Sequence, residues 1–221
     1  MLTVLMFILI AIISYLLGSL NFGVILSRRL KHDDVRSHGS GNAGSTNMLR
    51  NYGKIPALLT IIGDMAKVAL AILIAFGLLK LTKRYDAVLD TFKNGDIMIK
   101  SFAGFFCVLG HIYPCFFSFK GGKGVATSGG MVFMIDWRIA LILLAMFVLT
   151  VAITGYVSLG SILMAIFYPM YIFAFYISIP LTVIALIFSA IVIAKHKENI
   201  IRLREHTESK ISFSKKDKQR E

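Results

Sequence analysis

Gly124-Val-Ala-Thr-Ser-Gly-Gly-Met-Val-Phe-Met-Ile-Asp-Trp-Arg-Ile-Ala-Leu-Ile-Leu-Leu-Ala-Met-Phe-Val-Leu-Thr-Val-Ala-Ile-Thr154 is either one long helix or two short ones, and the topology of the whole chain turns on which. A single helix would hold Asp136 and Arg138 near the middle of a bilayer, where each charge costs about 2.5 to 3.5 kcal/mol even on a lenient scale. Two short crossings with a turn at Asp136-Trp137-Arg138 put both charges at the surface. The two-crossing reading is therefore preferred, although residues 124–135 fall short of the ~20 residues of a perpendicular span.

Working outward, further apolar runs lie at residues 3–27, 55–79, 97–119, 139–154, 156–177 and 179–194. With 57% hydrophobic residues and a mean hydropathy of +0.75, the chain is more apolar than a soluble domain. Thr154-Gly155-Tyr156 is a charge-free turn, and Ile179-Pro180 starts the last run, since proline suits a first helical turn. The sequence therefore predicts an all-α, polytopic integral membrane helix bundle of about seven transmembrane helices over residues 1–211. A basic tail at 212–221, rich in Lys, Ser and Asp, is predicted to be disordered.

An odd number of crossings puts the two ends of the bundle on opposite sides. Residues 28–54, Lys120, Lys123 and the segment from Lys195 hold seventeen of the 24 Lys and Arg, and basic residues are retained on the cytoplasmic side. Hence the N-terminus is expected outside and the C-terminus in the cytoplasm. Lys67 stays inside a span, three residues from Asp64, a spacing that lets the two neutralise each other as a structural intramembrane pair.

The formal net charge of +12 is explained by this topology and by anionic headgroups, and no patterned aromatics support nucleic acid binding. Cys107 and Cys115 lack metal-type spacing and read as packing residues. Arg28, Arg29 and Lys31 follow the first run, the reverse of a secretory signal, so that run is read as retained. The segment from Lys80 to Asp96 reads as a short interfacial helix.

Three polar islands interrupt the apolar pattern on the side expected to be cytoplasmic. In Gly39 to Lys54, Ser40 and Asn42 can donate to an oxyanion, and Arg50 can grip phosphate with two N–H bonds. Thr46 and Asn47 are expected to cap the helix entering the second span. In the second island, Gly121, Gly122 and Gly124 let backbone N–H groups point at an anion near a helix N-terminus, with Lys123 as counter-charge. The nucleotide-binding spacing Gly-x-x-x-x-Gly-Lys-Ser/Thr is absent. In the third, His196, Asn199 and Arg202 recur at i, i+3 and i+6, near one face of a helix leaving the membrane. His196 and His111, just before the second island, are rival candidates for a proton acceptor.

These islands resemble the three motifs of the bacterial acyl-phosphate:glycerol-3-phosphate acyltransferases (PlsY). Gly39, Ser40, Gly41, Asn42, Gly44, Thr46, Asn47 and Arg50 match the first. Gly110-His111 through Thr127, with Gly-Gly-Lys-Gly-Val-Ala-Thr, matches the second, and His196-Lys197-Glu198-Asn199-Ile200 with Arg202 the third. The likeness runs from residue 14 to 210. Departures are Asn21 in place of a common proline, Val68 and Gly155 in place of a glycine and a basic residue, and Arg204 and His206 in place of Leu and Gly.

The resemblance implies a bacterial inner-membrane enzyme with a cytoplasmic active site. Its reaction is attack by the sn-1 hydroxyl of glycerol 3-phosphate on acyl phosphate, giving lysophosphatidic acid and inorganic phosphate. Ser40, Lys123, His196 and Asn199 would be catalytic, and the proton acceptor would be His196, His111 or the leaving phosphate itself. Asn42, Thr46, Asn47, Arg50, His111, Gly121, Gly122, Gly124, Thr127, Ser158 and Arg202 would bind substrate. No metal and no cofactor are implied. Membrane lipids surround the enzyme, and the resemblance leaves open an association with the enzyme that makes the acyl phosphate. The alternative is a transporter or channel for phosphate or an organic phosphate, but the spans carry few polar residues besides Asp64 and Lys67.

Overall fold

The computed structural model describes residues 1–211, and among these the regular structure is helical, without strands. The basic tail at 212–221 lies outside the described residues. The chain divides into two compact units, Met1–Trp137 and Arg138–Glu221.

In the first unit the initial apolar run is broken. Helix α1 (Leu2–Gly18) ends before Ser19, and α2 (Phe22–Lys31) starts after Asn21, whose side chain accepts a hydrogen bond from the Val24 amide at 3.3 Å. The run at residues 3–27 is read from sequence as one retained span, and Leu2–Lys31 remains one candidate span with this break inside it. The buried Asn21 offers the backbone a cap, a competing partner that asparagine supplies readily. Next come α3 (Ser45–Tyr52) and the 28-residue α4 (Lys54–Leu81). The 80–96 segment contains the short helix α5 (Tyr85–Thr91), and α6 (Gly95–Ile112) follows it. The unit closes with α7 (Val125–Ile135).

Close approach of helices explains two glycines. A Cβ on Gly18 would lie 1.9 Å from the Cys107 carbonyl oxygen, and one on Gly110 would lie 2.1 Å from that of Tyr15. Without side chains at these positions α1 and α6 pack backbone to backbone, as small residues allow in lipid. On α4, Leu58, Ile62, Leu70 and Leu73 remain exposed while Ala57, Gly63, Asp64, Lys67, Val68 and Ala71 are buried. The exposed row is the apolar face that lipid requires.

The division between units falls at Trp137, the first residue of α8 (Trp137–Thr154). Asp136 is the extended residue between α7 and α8, so residues 124–154 are two helices, as the charge argument required. In the second unit α8 turns at Gly155, whose φ of +78° suits glycine, into α9 (Val157–Tyr176). Gly160 admits the Phe147 ring of α8 against α9. Helix α10 (Ile179–Lys195) carries proline in its first turn, as expected, and Tyr168 of α9 meets Phe188 of α10 edge to face, centroids 5.7 Å apart. Helix α11 (Lys197–Arg204) leaves α10 at an angle of 59°.

Five helical segments among the described residues are long and apolar enough to cross a bilayer: Leu2–Lys31, Lys54–Leu81, Gly95–Phe117, Trp137–Thr154 and Val157–Tyr176. The bent α10 and α11 pair raises this to six. Helix α7 has 11 residues. At 1.5 Å per residue it rises about 16 Å, roughly half of the hydrocarbon thickness.

Candidate active site

The loop between α2 and α3 is built around two side chains. Asp34 starts a single 3-10 turn by accepting the Arg36 amide at 3.0 Å, and it receives the Arg36 guanidinium through Nε at 2.9 Å and Nη2 at 2.7 Å. Arg28 adds a third cation contact at 3.0 Å. Hydrogen bonds from Arg36 hold the Asp34 carboxyl well below the ordinary carboxylate range, against the opposing effect of its partial burial. The remaining Arg36 nitrogen, Nη1, donates to the Phe117 carbonyl at 3.0 Å and to the Lys120 carbonyl at 2.9 Å. One guanidinium thus ties the first polar island to the second.

Asn47 is the other hub. Its buried amide Nδ2 donates toward the carbonyls of Val35, His38 and Asn42 at 2.9 to 3.0 Å, while Oδ1 accepts from the Ser40 amide and from Asn51 Nδ2. The expected capping role is corrected here. The cap position of α3 is Gly44, with no side-chain cap, so Thr46 and Asn47 already lie within the helix. Asn47 spends its polar atoms on the loop, which presents Ser40 exposed and Asn42 half-buried, and Arg50 stands exposed in the last turn of α3.

The second island is folded onto His111. The Gly122 amide donates to the His111 carbonyl at 3.2 Å. A Cβ on Gly121 would lie 2.0 Å from that carbonyl oxygen, and one on Gly122 would lie 2.3 Å from His111 Nε2. Both positions therefore require glycine because the histidine fills the space. Gly124, with φ of +82°, occupies the N-cap position of α7, and half-buried Lys123 precedes it. Thr127, in the first turn of α7, is fully buried and its hydroxyl has no hydrogen-bond partner among the described residues. The arrangement is a short glycine-rich turn leading into a helix N-terminus, with a cation beside it. That is anion-binding architecture.

In the second unit Ser158, Asn199 and Arg202 converge on Glu208, a residue that sequence reasoning missed. Ser158 Oγ and Asn199 Nδ2 both donate to Oε1 at 2.7 Å, and Arg202 Nε donates to Oε2 at 2.8 Å. Burial pushes the Glu208 carboxyl up, but hydrogen bonds from Ser158, Arg202 and Asn199 outweigh it and hold the group below the ordinary glutamate range. The chain reaches this point by reversing after α11, where the Thr207 amide donates to the Arg202 carbonyl at 2.8 Å. Ile211 then donates to the Gly155 carbonyl at 2.9 Å, and Lys210 lies over the Tyr156 ring with Nζ 5.4 Å from its centroid.

His196 stands at the junction of α10 and α11, 1% exposed. Its Nδ1 is 2.8 Å from the Val192 carbonyl, which can only accept. Nδ1 therefore carries the proton, and in the neutral ring Nε2 is the acceptor.

Comparison with known proteins identifies the family. The sequence profile of a family described as "Glycerol-3-phosphate acyltransferase" matches residues 8–206. A "Glycerol-3-phosphate acyltransferase" of Coxiella burnetii (strain CbuG_Q212) is 40% identical over 216 residues, covering 94% of this chain and 99% of the relative. One of Clostridioides difficile (strain 630) is 39% identical over 210 residues, covering 95% and 97%. Among solved structures, the glycerol 3-phosphate form of PlsY, an integral membrane glycerol 3-phosphate acyltransferase, matches with a TM-score of 0.80 at 35% identity, covering 93% of this chain and 96% of that one. Its lysophosphatidic acid form matches with a TM-score of 0.76 at 33% identity.

Proposed function

Because this chain belongs to the glycerol-3-phosphate acyltransferase family, we propose that it transfers a fatty acyl group from acyl phosphate to the sn-1 hydroxyl of glycerol 3-phosphate. The products are lysophosphatidic acid, which feeds phospholipid synthesis, and inorganic phosphate. The observation that carries this reading is the glycine turn packed on His111 with Lys123 at the start of α7, a site suited to a phosphate group that must leave with negative charge.

In this reading the sn-1 oxygen attacks the acyl carbonyl, the bond from that carbonyl to the phosphate oxygen breaks, and the hydroxyl proton passes to a base. His196 is one candidate for that base, with Nε2 the nitrogen able to accept because Nδ1–H is given to Val192, and the leaving phosphate itself is another. Lys123 and the amides of Gly121 and Gly124 hold the phosphate of the donor, with Ser40 and Asn42 assisting, while Gly122, whose amide is given to the His111 carbonyl, shapes the turn. Arg50, Ser158, Asn199 and Arg202 orient glycerol 3-phosphate. Acyl phosphate is an activated mixed anhydride, so positioning supplies most of the rate enhancement.

The proposed setting is a bacterial inner membrane crossed seven times, with the N-terminus outside and the active site on the cytoplasmic face. The bias of Lys and Arg toward residues 28–54 and the segment from Lys195 supports it. A labile anhydride donor also favours supply by an associated enzyme. Purified protein given acyl phosphate and glycerol 3-phosphate should release phosphate and lysophosphatidic acid in equal amounts. Lys123→Ala should lower kcat by about 10² to 10³, the cost of losing one donor to a developing oxyanion. Phosphate flux into proteoliposomes with no acyl transfer would overturn the reading in favour of a transporter.

A further inference from the structure

Two members of one buried polar cluster, Asp64 and Lys67, take no part in the chemistry proposed above. Asp64 and Lys67 of α4 and His111 of α6 are 1%, 4% and 3% exposed, within segments that cross the membrane. Lys67 Nζ lies 2.8 Å from Asp64 Oδ1, 2.9 Å from His111 Nδ1 and 2.9 Å from the carbonyl of Leu20. His111 Nδ1 is 3.4 Å from the same Asp64 oxygen. The expected Asp64 and Lys67 pair is therefore present, with two additions that spacing along α4 could not reveal. The Leu20 carbonyl lies at the break between α1 and α2, where the helix no longer supplies it with a partner.

An ammonium has three N–H donors and no lone pair. The adjacent carboxylate neutralises it, which is the condition for keeping a charge in a buried site. Nζ is ion-paired with the carboxylate and donates to the Leu20 carbonyl, so the ring nitrogen 2.9 Å away must accept as well. If His111 Nδ1 accepts, the proton of the neutral ring sits on Nε2. That atom is the one that Gly122 leaves room for.

We infer that Lys67 and Asp64 are positioning residues that lock His111 in its Nε2–H tautomer, making it a fixed, neutral hydrogen-bond donor beneath the glycine turn for an oxygen of the acyl phosphate. The ligand named here rests on the proposed function; the tautomer does not. His111 then cannot serve as the proton acceptor, because its one lone pair faces Lys67. The two rival histidines hold opposite tautomers, one set by the Val192 carbonyl at His196 and the other by the Lys67 ammonium at His111.

The direct test is 15N spectroscopy of histidine-labelled protein in lipid, with the His111 pair of signals assigned by its disappearance in His111→Gln. The expected result is a protonated, pyrrole-like Nε2 and an unprotonated, pyridine-like Nδ1 at neutral pH. A protonated Nδ1, in either the other neutral tautomer or a doubly protonated ring, overturns the inference. The second arm uses the uncharged, shape-preserving pair Lys67→Met with Asp64→Asn. It should release the tautomer and raise KM for acyl phosphate about tenfold, the worth of one hydrogen bond to a charged group, with KM for glycerol 3-phosphate within about twofold. An equal rise in both constants, or none, overturns the link to the glycine turn. Because the wild-type spectrum is read without any turnover, failure of the tautomer and failure of the proposed reaction are separately visible.

Discussion

The two units hold their polar groups in opposite ways. In the first, the donors are backbone amides of a glycine turn, and the shape is imposed from below by a buried histidine, so that little side-chain freedom remains. In the second, the donors are the side chains of Ser158, Asn199 and Arg202, brought together by the carboxylate of Glu208. The contrast teaches that a backbone site is specified by residues that are absent, glycines where a Cβ would clash, whereas a side-chain site needs a further residue to hold it. The first kind is intolerant of any addition. The second kind is tunable through its holder.

The sharpest way to break the comparison is Gly122→Ala. The added Cβ would stand 2.3 Å from His111 Nε2, and that ring is held on its other side by Lys67, so the turn itself must move. Acyl transfer should fall by at least about a hundredfold, since displacement of about 1 Å in a preorganised site has that consequence. A near-normal initial rate in the phosphate-release assay would show that the turn is not the rigid element described.

Glu208→Gln should have a smaller effect. The amide keeps an acceptor for Ser158 or Asn199 but loses the charge that draws in Arg202, so KM for glycerol 3-phosphate should rise roughly fivefold to tenfold, about 1 to 1.4 kcal/mol. Steady-state kinetics with each substrate varied in turn would show it. The same residue gives a pH dependence. Its carboxyl is held below the ordinary glutamate value in the folded chain, so its stabilising effect is fully present above that value and is lost as pH falls through the folded one. Thermal unfolding in detergent should show the midpoint of the wild type dropping below about pH 4.5, and that of Glu208→Gln dropping less.

The smallest effect is expected at Asn21→Ala. Removing the cap of α2 should cost about 1 kcal/mol of stability, measured as a lowered unfolding midpoint, with acyl transfer per folded molecule little changed. A large loss of activity there would mean that the break between α1 and α2 matters to the site through the Leu20 carbonyl that Lys67 holds.

Much of the fold was legible because its punctuation is local. Asp136, Gly155 and Pro180 each mark a boundary through a charge, a positive φ or a missing N–H, and each stands at a helix end. The break at Ser19 to Asn21 was not read, because hydropathy averaged over a run conceals one polar side chain that caps a new helix. Pro169 lies buried within α9 without ending it, so proline alone is an unreliable mark in a bilayer, where neighbours and lipid change the balance. Of the site, the glycine turn and its lysine were visible as composition. Glu208 was not, since its partners at 158, 199 and 202 meet it only after the chain reverses beyond α11. The hub role of Asn47 and the contact of Lys67 with His111 were hidden for the same reason: both depend on which carbonyl or ring another element delivers.

The clasp made by Arg36 has a consequence for how the two loops can diverge over time. It grips Asp34 by the side chain but Lys120 through the peptide oxygen alone. Residue 120 is thus free to drift in chemical character as long as its main chain stays in place, while 34 and 36 must change together or not at all. A substitution at the arginine would unfasten both ends at once, whereas its counterpart on the far side could be rewritten many times without leaving a trace in performance.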